Sequence, residues 1–292
     1  MKRQMSLERG AFTSLLMCTT FWCGSVMAAG NDPDQEAAGE ISSFDKFLDS
    51  DTVLGGKFST WIELASDYVF RGESETNDGK IPSIKGSLTW THNSGMYVGL
   101  YVANNLFPGA DSAGNNPDIN AIYGPYVGFA TKNIADTGIN YNGFLFQYIY
   151  PGSNNSNYLE MFNYIDKQYG ALNMKLEYSP TITDWFGVKG LQSHNIAIHP
   201  SVALPHGFTV SGGLGYQFFN NHGPNLDGNG NGKEELNWWH WNAGVSRNVF
   251  GYTVDVRYHD TDIEKDHHDF YGFKSNHQIV NSRYVFSVSK SF

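Results

Sequence analysis

The sequence predicts an all-β protein: a transmembrane antiparallel β-barrel of about twelve strands, with short periplasmic turns at one end and long extracellular loops at the other. Three observations carry this expectation. The last eleven residues, Ser282 to Phe292, set Tyr284, Phe286 and Val288 against Ser287, Ser289 and Ser291 and end on an aromatic side chain. Such alternation suits a wall between lipid and water, where lipid-facing and lumen-facing positions succeed one another. Elsewhere in the chain charged residues keep to one parity of each apolar segment, and the connections between segments alternate between short and long.

At the N-terminus Lys2, Arg3 and Arg9 precede an apolar run from Ala11 to Val26, and Val26-Met27-Ala28 offers the small or apolar residues a signal peptidase reads. Residues 1–28 are therefore expected to be a signal peptide. A lipoprotein leader ending at Cys18 is disfavoured because Met17 stands where a small residue is needed. Both cysteines, Cys18 and Cys23, leave with the leader, so the exported chain is expected to contain no disulfide. Loss of Lys2, Arg3, Arg9 and Glu8 takes 19 basic and 29 acidic residues to 16 and 28, a net charge of −12. That acidity argues against a nucleic-acid partner. Residues 29–56 form an acidic segment in which Ile41, Phe44, Phe47 and Leu48 share one side of a short helix; it is expected to be disordered or a weak helix in the periplasm, since so short a helix is marginal without a docking surface, with packing in the lumen as the alternative.

From there to residue 292 the chain reads as one barrel. Nothing approaches the eighteen uninterrupted apolar residues of a membrane-spanning helix. In 57–72 the even positions Phe58, Thr60, Ile62, Leu64, Ser66, Tyr68 and Phe70 oppose Glu63, Asp67 and Arg71. Leu172, Met174, Leu176 and Tyr178 oppose Asn173, Lys175 and Glu177, and Phe250, Tyr252, Val254, Val256 and Tyr258 oppose Thr253, Asp255, Arg257 and His259. An Arg or Lys on the lipid face near the bilayer centre costs roughly 2–4 kcal/mol, which explains the sorting. The strands are expected at 57–72, 81–92, 95–105, 118–131, 137–150, 156–166, 168–180, 193–204, 207–219, 235–248, 250–262 and 279–292. Connections after even-numbered strands, such as Pro205-His206-Gly207, Asp166-Lys167-Gln168 and Asn248-Val249-Phe250, are short. Those after odd-numbered strands, such as Glu73 to Lys80, Asn220 to Glu234 and Ile263 to Gln278, are long. A soluble sandwich has no reason to alternate in this way, whereas a bacterial outer-membrane barrel does.

Ala65-Ser66-Asp67-Tyr68-Val69-Phe70-Arg71-Gly72, followed by Ser94-Gly95-Met96-Tyr97-Val98-Gly99, resembles the opening of the TorF family of porin-like proteins, also catalogued as the Gcw_chp conserved hypothetical proteins. Tyr148-Ile149-Tyr150-Pro151-Gly152 with Asn157-Tyr158, then Gly244-Val245-Ser246 leading to Asp255 and Tyr258, are similar to later blocks of that family. The resemblance implies an outer-membrane location and a channel, and brings no substrate or site residues. The chain differs from the usual pattern in its acidic N-terminal segment and in its large loops around Asn225 and Asp266.

Twelve strands fall between barrels filled by side chains and those with an open aqueous bore, so any pore is expected to be narrow. Parity assigns Glu63, Asp67, Arg71, Lys85, Lys175, Glu177, Asp255, Arg257 and Arg283 to the pore lining. These charges nearly balance. They either create a transverse field that orients small hydrophilic solutes or neutralise one another and close the lumen. Surplus acid in the loops and N-terminal segment favours cations weakly at the mouth.

Weaker candidates lie in loops. Asp227, Asn229 and Asn231 have the spacing of the first half of a calcium loop, but Trp238 stands where a bidentate Glu is required. Asp260, Asp262, Glu264, Asp266, His267, His268, Asp269 and His277 form an acidic, histidine-rich stretch whose spacing matches no closed zinc site. His199-Pro200-Ser201 carries a His-x-Ser spacing known from an outer-membrane phospholipase, yet it falls on the lumen side, and no partner for the base can be assigned. His199, His240 and His259 are accordingly expected as polar lining. No enzymatic chemistry and no cofactor is expected. The expected partners are outer-membrane lipid and lipopolysaccharide, the barrel assembly machinery acting on the C-terminal strand, and small solutes. A non-conducting, adhesin-like surface protein acting through its long loops is the alternative, and an outer-membrane hydrolase the third.

Overall fold

A computed structural model of the chain describes residues 54–108, 118–220, 237–263 and 277–292. The signal peptide, residues 29–53 of the acidic N-terminal segment, and the loop candidates Asp227, Asn229, Asn231, His267 and His268 lie outside these residues, and Gly56 already belongs to the first strand. Among the described residues the strands are β1 (Gly56–Ala65), β2 (Val69–Phe70), β3 (Glu73–Ser74), β4 (Ser83–His92), β5 (Met96–Pro108) and β6 (Asp118–Thr131). They continue as β7 (Ile139–Tyr148), β8 (Tyr158–Tyr169), β9 (Leu172–Pro180), β10 (Ser193–Leu204), β11 (Phe208–Phe219), β12 (Trp238–Val249), β13 (Tyr252–Thr261) and β14 (Arg283–Ser291). Twelve of these close an antiparallel barrel, each paired with its sequence neighbours, while β2 and β3 form a separate two-stranded sheet. Closure is made by β1 and β14, with Ile62 opposite Lys290 and Leu64 opposite Val288. The terminal Phe292 exchanges both backbone hydrogen bonds with Thr60, at 2.8 and 3.0 Å, so the ring has no open edge at this seam.

The wall is apolar outside and polar or aromatic inside. On β1, Ile62 and Leu64 are 47 % and 55 % exposed, whereas Trp61, Glu63 and Ala65 are buried. The same inversion runs along β4, where Ile84 and Leu88 face outward and Ser83, Lys85, Ser87 and Thr89 inward. On β14, Tyr284 and Phe286 face outward and Ser287 and Ser289 inward. An exterior of this kind is stable only in hydrocarbon, since contiguous apolar patches so large are not left in water. Lys290, on the outer parity, extends its Nζ over the rings of Tyr252 and Phe292, at 5.0 and 4.7 Å, near the short-turn end.

Three sequence expectations need correction. The first expected strand, 57–72, ends at Ala65, because after Ser66, still hydrogen-bonded to Phe286, the chain leaves the wall and residues 67–76 fold into the lumen. Tyr68 and Phe70, expected toward lipid, are inside: Tyr68 is 1 % exposed and Phe70 packs against the inner aromatic cluster. The alternation continues past Ala65 by coincidence of parity. Arg71 and Gly72, at φ of 48° and 90°, turn the segment back on itself. The turn expected at Asp166-Lys167-Gln168 lies instead at Gly170-Ala171, where Gly170 takes a φ of 63° that costs glycine little. Likewise the turn at Asn248-Val249-Phe250 is the pair Phe250-Gly251, both at positive φ, as tight hairpins require.

Candidate functional site: a lumen crossed by its first loop

Residues 67–76, within the first long connection 66–82, occupy the barrel interior. In the ring of twelve, β9 lies six strands from β1 in either direction and so stands opposite it. Arg71, carried by this loop from the end of β1, reaches that far wall: its Nη2 lies 2.8 Å from Glu160 on β8 and 3.4 Å from Glu177 on β9. The loop therefore spans the bore. Trp238 Nε1 donates to the Arg71 carbonyl at 3.0 Å, fixing the backbone at the tip. Gly72 permits the close approach, since a Cβ there would stand 2.6 Å from Thr261 Cβ.

The loop's base is held separately. Arg283 Nη1 contacts Asp67 at 2.6 Å and Asp78 at 3.1 Å, tying both ends of the loop to the start of β14. Ser74 and Thr76 hydroxyls donate to Asp67 Oδ1, at 2.7 and 2.5 Å, and Thr76 Oγ1 also accepts from the Tyr68 amide. Glu73 and Glu75 lie on the same loop. Burial pushes the Glu73 carboxyl up to about 8. Burial does the same at Glu75, also about 8, with the Glu73 charge adding to it and an Asn105 hydrogen bond opposing it.

All nine residues assigned by parity to the interior have inward-placed, largely buried side chains. Asp67 and Arg71 reach that position from the loop and not from a strand. Glu63 and Lys85 are cross-strand partners on β1 and β4, 2.5 Å apart. Asp255 and Arg257, two residues apart on β13, pair at 3.1 Å, and Arg257 also donates to Ser211 and Asn242. Lys175 lies on β9 with its Nζ 5.9 Å from the Tyr164 ring centroid. The Glu177 carboxylate accepts from Ser179, Asn195 and His199 at 2.7, 2.9 and 3.0 Å besides meeting Arg71. Much of the interior charge is thus neutralised locally, and the Arg71 group links one wall to the other.

Two features escaped the sequence. Glu160, 0 % exposed and the nearer partner of Arg71, shares its parity with Tyr158, Phe162, Tyr164 and Asp166, so aromatic and acidic residues point inward together. An alternation test that equates apolar with lipid-facing is blind to such a strand. The second feature is the size of the aromatic cluster: Tyr97, Tyr101, Tyr126, Phe144, Phe146, Tyr148, Tyr158 and Phe162 fill the lumen beside β5 to β8. Phe144 stacks on Phe162 at 4.9 Å and Tyr148 on Tyr158 at 4.3 Å. Each such pair adds about 0.5–1.5 kcal/mol beyond simple burial. Gly124, which lies beneath the Phe146 ring, has no room for a Cβ.

The space left is eccentric. A recess of ≈ 570 Å³, which includes open solvent, lies between the loop tip and strands β8 to β10, β12 and β13. His199, His240 and His259 all border it. His199 is turned toward Glu177, and Ser201 lies opposite Ser211 and Asn173 in the sheet. His240 Nε2 is 2.8 Å from Asn195 Oδ1. Among the described residues no three His, Cys, Asp or Glu side chains are grouped to hold a metal ion.

A family described as "Bacterial protein of unknown function (Gcw_chp)" matches residues 51–292. No curated protein matches the chain in sequence. Among solved structures, the NanC porin is 10 % identical, with 80 % of this chain and 97 % of that chain covered and a TM-score of 0.49. The COG4313 outer membrane channel from Pseudomonas putida F1 is also 10 % identical, with 90 % and 100 % covered and a TM-score of 0.49. The outer membrane channel DcaP of Acinetobacter baumannii is 11 % identical, with 87 % and 100 % covered and a TM-score of 0.39.

Proposed function

Since the chain belongs to the Gcw_chp family of bacterial proteins of unknown function, we propose from its own geometry that it is a narrow, porin-like channel of the Gram-negative outer membrane for passive diffusion of small hydrophilic solutes. The observation that carries this reading is a closed barrel, apolar outside, whose polar bore is narrowed by an inward-folded loop latched across it by Arg71. A structural wall needs no such loop, whereas a constriction sets which solutes pass. In this reading the short-turn end faces the periplasm and the long loops face outward. The exposed belt of Ile62, Leu64, Leu88, Leu100 and Phe286 contacts lipid and, in the outer leaflet, lipopolysaccharide. β14, ending at Phe292, is the strand offered to the assembly machinery. A weak preference for cations follows from the acidic composition outside the barrel, because interior charges such as Glu63–Lys85 and Asp255–Arg257 cancel in pairs.

Purified protein in a planar bilayer tests this. Discrete conductance steps, with a reversal potential in a salt gradient on the cation side, support it; a reversal potential favouring anions refutes the preference. A folded, heat-modifiable but silent barrel supports instead a non-conducting surface protein acting through its loops. The aromatic filling beside β5 to β8 is what favours that second reading.

A further inference from the structure

The outer face of the wall carries positive charge at one end. Among the described strand residues, three cations stand at positions of lipid-facing parity: Lys167 on β8, two residues beyond the exposed Ile165, Arg247 on β12, two beyond the exposed Val245, and Lys290 on β14, opposite Ile62. All three lie at the short-turn end, near Gly170-Ala171, Phe250-Gly251 and the terminal Phe292. Asp260, of the same outward parity on β13, lies at the other end, beside the long loops, and accepts from Tyr258 Oη. Arg247 and Lys290 share one patch. Arg247 is opposite Val254 and Val254 is opposite Val288, so Lys290 is two strands away, roughly 10 Å across the sheet, and two residues nearer the rim.

Both cations lean on aromatic rings and not on acids. Arg247 Cζ lies 4.7 Å from the Phe208 ring centroid, and Lys290 Nζ lies 5.0 Å from that of Tyr252 and 4.7 Å from that of Phe292. A ring face attracts a cation but brings no counter-charge. Neither side chain forms an ion pair with a described residue. Arg247, Tyr252 and Phe250 are exposed, so the patch meets the surroundings of the barrel. Long basic side chains and aromatic rings at a strand end fit the level where hydrocarbon gives way to headgroups.

The charge of the patch selects what covers it. A second copy inserted in the same orientation would present the same level of its own wall, where the outward charges of the described strands are these same cations. A zwitterionic headgroup brings its own ammonium beside its phosphate. An anionic headgroup brings net negative charge, and its phosphate accepts hydrogen bonds from a guanidinium and an ammonium alike. We propose that the outer face of β12 to β14 at the short-turn end, bearing Arg247 and Lys290, holds the phosphate of an anionic glycerophospholipid in the membrane leaflet on that side. This rests on the membrane placement of the barrel and not on conduction.

In the test, the full barrel folded in detergent is titrated with an equimolar mixture of phosphatidylglycerol and phosphatidylcholine, and the lipids that stay bound are counted by native mass spectrometry. Wild type is expected to retain phosphatidylglycerol in preference. Each Lys or Arg near anionic lipid contributes about a fivefold factor, so Arg247→Gln and Lys290→Gln should each lower the preference about fivefold and the double variant should abolish it. Arg247→Gln alone decides if Lys290→Gln, beside the closing seam, does not fold. Lys167→Gln, five strands from β13 in the ring, is expected to leave the first bound phosphatidylglycerol in place. No preference in wild type, full preference in the double variant, or an equal loss in Lys167→Gln, as from diffuse attraction to the whole rim, overturns the site. A dimer of barrels held without lipid also overturns it. If wild type does not insert into phosphatidylcholine vesicles as a heat-modifiable barrel, the membrane placement fails and the site with it. An inserted barrel that conducts nothing but prefers phosphatidylglycerol removes the channel reading and leaves the site standing.

Discussion

Replacing Arg71 with Leu removes the cation that fastens the loop across the bore. The side chains involved are 6 % exposed at Arg71 and 0 % at Glu160. Glu177 is not orphaned by the change, because His199, Ser179 and Asn195 still donate to it at 3.0, 2.7 and 2.9 Å. Glu160 loses the cation 2.8 Å away, and its buried carboxylate is left without that compensation. Breaking a buried pair from one side costs about 3–5 kcal/mol. Withdrawal of the loop relieves that cost by admitting water, so the seated state is expected to lose roughly two to almost four orders of magnitude in population relative to the withdrawn one. Single-channel recording should show larger steps or a higher open fraction, and denaturant unfolding should show a lower midpoint if the loop stays seated. Arg71→Leu with Glu160→Leu removes both charges and should recover most of the stability, since apolar replacement of a buried pair is often neutral. A single variant with wild-type conductance and wild-type midpoint, or a double variant no better than the single, refutes the latch.

Three further outcomes follow from the same geometry. Gly72→Ala, at φ 90° and 2.6 Å from Thr261 Cβ, should unseat the loop at a cost of about 1–3 kcal/mol, read as raised conductance from a barrel that still shows heat-modifiable mobility on a gel. Glu73 and Glu75, raised from 4.5 to about 8, hold protons in the seated loop that a withdrawn loop releases, so seating is firmest at low pH and weakens as pH rises from about 4.5 to 8. Conductance should therefore increase between pH 5 and pH 9, and a flat profile contradicts the assignment. Leu88→Arg, on the lipid face of β4 where Leu88 is 48 % exposed, should cost roughly 2–4 kcal/mol if that position lies near the bilayer centre, measured as folding yield into lipid vesicles.

Alternation was readable because a lipid-facing side chain and a lumen-facing one meet different solvents. Ile62 and Leu64 against Glu63, or Phe286 against Ser287, record that difference in the sequence itself. The short–long spacing of turns set the strand number for the same local reason, and among the short turns it differs from the structure where a turn's backbone geometry, as at Gly170 and Gly251, outweighs its polarity. The path of residues 66–82 was not readable in this way. Tyr68 and Phe70 continue the outward parity of β1, and nothing local distinguishes an aromatic residue facing lipid from one packed in a lumen. Arg71 turns inward because Glu160 and Glu177, 89 and 106 positions later in the numbering, wait on the opposite wall.

The sequence by itself determined a closed, membrane-compatible wall, its strand number, and the inward face of its charged residues, since each of these depends on contrasts between adjacent positions. It took the assembled ring to show that aromatic rings fill one side of the bore, that the first loop crosses it, and that His199, His240 and His259 border one recess. Those arrangements join strands far apart in the chain, and closing the ring is the step that brings them together.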